Sequence, residues 1–167
     1  GEALKNAKRD LGKGVDLLAF DACNMMSIEG VYELRDAVTY VLGSETMVPF
    51  DGLPYEMFIT DLVQDWDMSP ADLAMNIVEE YVRYYSSKWD YKHIMRYSQD
   101  FATISAFDMS KMDALGRAFG DLTSNLLPLI EDHIREIEDA RGYALIGTWT
   151  NMAGYEWMPD VYAFVEG

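Results

Sequence analysis

An open, mostly parallel α/β sheet flanked by helices is what the sequence predicts, and three features of residues 14–43 predict it. The run Gly14-Val-Asp-Leu-Leu-Ala-Phe-Asp-Ala-Cys23 is apolar, bounded by glycine and broken by Asp21, which is the pattern of a buried strand over residues 15–21. From Ser27 the period changes, because Ile28, Val31, Leu34 and Val38 recur at spacings of three and four and predict a helix over residues 27–38. Thr39-Tyr-Val-Leu-Gly43 is β-rich and reads as a neighbouring strand. A strand, a helix and a strand in that order predict a parallel pair joined by a crossover.

The remaining elements follow in chain order. Residues 1–13 hold Lys5, Lys8, Arg9, Lys13 and Gly12, with Ala3, Leu4, Ala7 and Leu11 as their apolar positions, and read as a basic connector or the tail of a helix. Ser44 to Tyr55 contains Pro49, Gly52 and Pro54 and reads as a loop leaving the second strand. If the strands are parallel, this loop and Cys23 share one edge of the sheet. Ser69-Pro-Ala-Asp72 is a strong helix start, with serine as cap and proline in the first turn, and its helix should run to about Ser86. Phe101 to Phe107 reads as a further strand, Ser110 with Asp113 as the cap of a helix to about Leu127, and Pro128 as the start of another helical run. Aromatic and glycine-rich turns dominate from Gly142 onward.

Composition places the chain among globular proteins. It is 167 residues long, 50% hydrophobic and 25% charged, and a chain of that size buries about 68–70% of its unfolded surface, enough for one core. No apolar run approaches the length of a membrane span. With 29 acidic residues against 13 basic ones the net charge is −16, which argues against nucleic acid and anionic membranes as partners. The first 13 residues run the other way, carrying four basic and two acidic side chains. Neither a zinc spacing, nor a phosphate-binding loop, nor a dinucleotide fingerprint occurs. Asp61, Asp65 and Asp67 fit no EF-hand loop and read as solvating a helix end.

The sole cysteine, Cys23, excludes an internal disulfide. A lone cysteine is more often an inert core residue than a nucleophile. Its place just before a helix start, at the edge where open α/β sheets carry chemistry, and the Asp two residues earlier raise the odds of a nucleophile, but on these residues alone the inert reading still leads. Asp21 lies two residues earlier, on the same face of an extended strand and about 6.6–6.8 Å away. An unpaired carboxylate so close is unfavourable to a thiolate unless a cationic substrate group neutralises it. His93 and His133 lack strand-end or glycine contexts and read as surface residues, and Tyr81, Tyr84 and Tyr85 read as packing.

Phe20-Asp-Ala-Cys-Asn-Met-Met-Ser-Ile-Glu29, Tyr32-Glu-Leu34, Gly43-Ser-Glu45 and Asp51-Gly52 together resemble the nucleophile region of the clostripain-like cysteine peptidases, which share the caspase and gingipain fold. The segments 102–115 and 160–164 resemble the same family. Asn24 departs from the family pattern, which has an apolar residue there. The resemblance implies a caspase-like sheet with a helical C-terminal extension, with residues 14–167 as one α/β segment of a larger two-chain domain and residues 1–13 as a leader left by autoprocessing. It implies an endopeptidase that cleaves after Arg or Lys, with Cys23 as nucleophile, Asp21 and Asp51 holding the basic side chain, and a catalytic histidine on a second polypeptide from the same precursor. It further implies a secreted or cell-envelope bacterial protein. No cofactor is expected, although calcium is needed by some members.

Two rival readings accompany this one. A catalytically inactive relative would keep the fold as a binding module, and an acidic interaction domain would keep Cys23 buried and inert. The second rival predicts a shielded thiol, which a structure can address directly.

Overall fold

The computed structural model describes residues 1–87 and 103–146. Trp89, Tyr91, His93, the start of the expected strand at Phe101, the turns from residue 147 and the 160–164 segment lie outside the described residues. The chain divides into two compact units, Gly1–Gly116 and Arg117–Gly167.

The first unit is built on a three-stranded sheet in the order β1-β2-β3, with β1 at Val15–Ala19, β2 at Val38–Gly43 and β3 at Ser105–Asp108. Strands β1 and β2 are parallel, pairing Val15 with Val38 and Ala19 with Leu42. Strand β3 runs antiparallel to β2, pairing Tyr40 with Asp108 and Gly43 with Ser105. The α/β architecture read from the sequence is therefore present as a small mixed sheet flanked by helices.

Alternation along the strands decides which helices cover which face, since successive side chains of a strand point to opposite sides. Leu18 and Val41 join Met26, Val31, Leu34, Ala37, Val38, Met109 and Met112 in one core cluster, against which Leu4 of α1 (Glu2–Leu11) and Leu115 of α5 (Met112–Leu126) pack. Their neighbours Leu17 and Leu42 face the other way, into a cluster with Leu53, Phe58, Ile77 and Tyr81. That second layer comes from α3 (Tyr55–Gln64) and α4 (Pro70–Ser87). Each buried Leu, Ile, Val or Met contributes roughly 1.5–3 kcal/mol, so the layer that carries Tyr81 is also what holds α4 to the sheet.

Three boundaries differ from the sequence reading for identifiable reasons. The helix after Cys23 is only α2, Ile28–Tyr32, capped by the Ser27 side chain, which accepts from the Gly30 N–H. Beyond it the Leu34 and Ala37 N–H groups bond three residues back, to Val31 and Leu34. Leu34 thus reaches the core from a turn and Val38 from the first position of β2, and together they mimic helical spacing. Strand β1 stops at Ala19, because the chain turns away once the Phe20 N–H has bonded the Leu42 carbonyl at 2.8 Å. Asp108 rather than Ser110 caps the turn before α5, accepting from the Ser110 N–H; these bonds hold its carboxyl below the usual carboxylate range. By contrast, Ser69 caps α4 as expected, its Oγ accepting from the Asp72 N–H at 3.1 Å.

Residues 2–11 fold as α1, anchored by Leu4 and by a Lys5–Asp36 ion pair of 3.3 Å. Among the described residues no helix is long and apolar enough to cross a membrane. The described part of the second unit contains the end of α5 and α6 (Ile134–Ile146).

Candidate functional site

Parallel pairing of β1 and β2 sends the two loops that follow them, residues 20–27 and 44–54, off the same sheet edge. There they are laced together through the backbone. The Asn24 N–H bonds the Thr46 carbonyl at 2.9 Å, and the Met25 and Met26 N–H groups share the Ser44 carbonyl at 3.0 and 3.2 Å. Beneath this lacing Ser44, Thr46 and Thr103 form a triangle of hydroxyls with edges of 3.1 to 3.4 Å. Asn24 adopts φ 57°, a left-handed conformation in which Asn is several-fold enriched over other non-glycine residues. This gives the departure at position 24 a backbone reason.

Cys23 stands at the start of this clamped turn and is exposed. Its Sγ accepts a hydrogen bond from the Val48 N–H at 3.3 Å, and the Val48 carbonyl lies 3.9 Å from the same sulfur. Since β1 ends at Ala19, Cys23 and Asp21 sit on a loop, and the strand-derived face and spacing do not apply to them. Nor does a helix terminus aim at the thiol, because α2 begins five residues later and is a single short turn. Val48 is the group that positions the sulfur.

Asp21, read from the sequence as an unpaired carboxylate, is tied to the neighbouring loop. Its Oδ1 accepts from the Leu53 N–H at 3.2 Å and its Oδ2 from the Tyr55 hydroxyl at 3.1 Å. Burial first, then the bond and charge of Asp21, push the Tyr55 hydroxyl above its usual pKa. Between the two acidic residues lies Gly52, with φ +69°, where a Cβ would come within 2.6 Å of the Asp21 Oδ2. Asp51 forms a turn with Gly52, whose N–H bonds the Pro49 carbonyl at 2.8 Å. Its own carboxylate accepts from the Tyr84 hydroxyl at 2.9 Å, while the Tyr85 hydroxyl donates to the Gly52 carbonyl at 2.7 Å. Thus Asp21 packs directly on the turn that carries Asp51, and one face of α4 holds that turn in place.

Gly52→Ala is expected to disturb this arrangement for two reasons. An L side chain at that φ costs roughly 1–2 kcal/mol, and the methyl displaces the Asp21 carboxylate. A melting point lowered by roughly 2–4 °C per kcal/mol is the expected result, whereas Gly120→Ala, inside α5 and meeting nothing within 4 Å, should leave the melting point unchanged or raise it, alanine being the better helix former. Equal melting points for the two variants would contradict the contact between Gly52 and Asp21.

Asp61 accepts from the Asn76 amide at 2.9 Å, and among the described residues no group of three or more His, Cys, Asp or Glu could hold a metal ion. His133 is exposed, 3.9 Å from Glu136, and belongs to the second unit.

The tyrosines are what sequence reasoning missed. Tyr84 and Tyr85 pack edge to face at 4.9 Å, yet both hydroxyls also serve the acidic loop. Their separation of 33 residues from Asp51 and Gly52 leaves no local signal. The one available hint is the spacing of Tyr81, Tyr84 and Tyr85, which places three hydroxyl-bearing rings on one face of a helix.

Comparison with known proteins points in one direction. A family model described as the clostripain family matches residues 2–163. Among solved structures, a B. fragilis cysteine protease is 27% identical, with a TM-score of 0.52, over 65% of this chain and 43% of its own. A secreted cysteine protease from Bacteroides thetaiotaomicron, solved with an irreversible peptide inhibitor, is 31% identical, with a TM-score of 0.53, over 71% of this chain and 33% of its own. A clostripain from the same organism, in complex with the peptide inhibitor BTN-VLTK-AOMK, is 27% identical, with a TM-score of 0.50, over 68% of this chain and 44% of its own. The chain thus spans less than half the length of these relatives. No curated protein matches.

Proposed function

The chain belongs to the clostripain family, and on that premise we propose that it is the nucleophile-bearing part of a cysteine endopeptidase that cleaves after Arg or Lys. The observation that carries this reading is the arrangement at one sheet edge: an exposed thiol two residues from a carboxylate that packs on the turn bearing a second carboxylate. The thiolate of Cys23 attacks the scissile carbonyl and forms a thioester as the peptide nitrogen leaves with a proton; water then releases the acyl group. The N–H groups of residues 24–26 are engaged by Thr46 and Ser44, so the Cys23 N–H is the donor of this loop assigned to the oxyanion.

The proton is handled by a histidine on another polypeptide of the same precursor, an assignment supported by the surface position of His133 and by the greater length of the relatives. No cofactor takes part in these steps. Specificity for basic residues rests on the acidic pair, and the inhibitor of the B. thetaiotaomicron clostripain, whose peptide ends in lysine, is consistent with it. Release of residues 1–13 from an upstream segment by the enzyme itself, and an extracytoplasmic setting like that of the secreted B. thetaiotaomicron relative, complete the proposal.

Mapping the new termini produced when the full-length protein digests an unfolded protein substrate tests the specificity. Cleavage after Arg and Lys is expected, whereas cuts spread over neutral residues would contradict the role of the acidic pair.

A further inference from the structure

Tyr81 is the most deeply buried aromatic residue of α4, at 3% exposure, and its hydroxyl has no hydrogen-bond partner among the described residues. A buried hydroxyl left unmatched destabilises the fold, so its placement needs a reason. Its surroundings supply one. Tyr81 shares a cluster with Leu53, whose N–H holds the Asp21 carboxylate. Its ring packs at 4.6 Å on Tyr85, whose hydroxyl holds the Gly52 carbonyl.

From this geometry we infer that the Tyr81 hydroxyl is a third polar group of the basic-side-chain pocket, accepting a hydrogen bond from the substrate guanidinium or ammonium beside Asp21. The inference rests on the reading that Asp21 and Asp51 receive that side chain. Phenol oxygen carries lone pairs and suits a cationic donor, and a buried acceptor left empty by a neutral side chain sharpens discrimination. Burial pushes the Tyr81 hydroxyl up to about 12, with the charges of Asp21 and Cys23 as the further causes. It stays neutral at physiological pH.

Tyr81→Phe removes only the oxygen. In the full-length protein the variant is expected to lose about 10-fold or more in kcat/KM for a peptide with Arg before the cleaved bond. The matched Leu peptide and the alkylation of Cys23 by iodoacetamide should be unaffected, and the melting temperature unchanged or raised, since an unmatched group has been deleted. An unchanged Arg-to-Leu ratio would overturn the inference, and so would a lowered melting temperature, which would show the hydroxyl already satisfied within the fold. If wild-type protein itself shows no preference for Arg over Leu, the acidic pocket fails as a whole. If the preference exists and survives Tyr81→Phe, only the role of Tyr81 fails.

Discussion

Cys23→Ala is expected to abolish peptide hydrolysis by the full-length protein, with a loss on the order of 10⁶-fold, the scale seen when the nucleophile of a covalent peptidase is removed. The fold should survive the change. Cys23 is exposed and outside both core clusters, and among the described residues its polar contacts are those to Val48. Folding of the neighbouring turn depends on the backbone bonds of residues 24–26, which alanine preserves. A circular dichroism spectrum and melting point close to wild type, together with lost activity, are the expected pair of results. Retained hydrolysis would remove Cys23 from the chemistry and favour a non-enzymatic or differently catalysed role for this edge.

The second large effect is expected at Asp21. A guanidinium held by a carboxylate in a partly desolvated pocket gains hydrogen bonds worth about 1.5–3 kcal/mol each. Loss of one carboxylate charge should therefore reduce kcat/KM for Arg and Lys substrates by about 10- to 150-fold. The amide of Asn retains an oxygen that can accept from the Leu53 N–H and the Tyr55 hydroxyl, the partners Asp21 has now. Asp21→Asn thus separates recognition from architecture. Alkylation of Cys23 by a small neutral reagent, which needs the thiol and not the pocket, should change far less than the cleavage rate. If the preference for Arg over Leu is the same in Asp21→Asn as in wild type, Asp21 is a structural anchor for the 51–55 loop and nothing more.

How much of this was readable in the sequence depends on the range of the interaction. The strand, helix and strand of residues 15–43 were legible because apolar periodicity records the environment of each element. The start of α4 was legible because Ser69 and Asp72 lie three apart and cap it locally. Boundaries were less so: Leu34 and Val38 keep helical spacing while one sits in a turn and the other opens β2, since a core on one side selects apolar residues whichever local conformation presents them. At the candidate site, Asp21, Cys23 and Asp51 were nameable from the resemblance, but their supports were not. Val48, Tyr55, Tyr84 and Tyr85 reach them across 25 to 34 residues. Tyr81, read as packing, is indeed packed, and only the orphaned hydroxyl separates it from an ordinary core residue.

The central claim is that a reactive thiol and a basic-residue pocket share the sheet edge at Cys23. Its most direct test is the rate at which chloromethyl ketones of an Arg peptide and of the matched Leu peptide inactivate the full-length protein, followed by peptide mapping of the adduct. The account predicts one adduct, on Cys23, formed much faster by the Arg reagent than by the Leu reagent. Equal rates for the two reagents, or an adduct on any other residue, would contradict it.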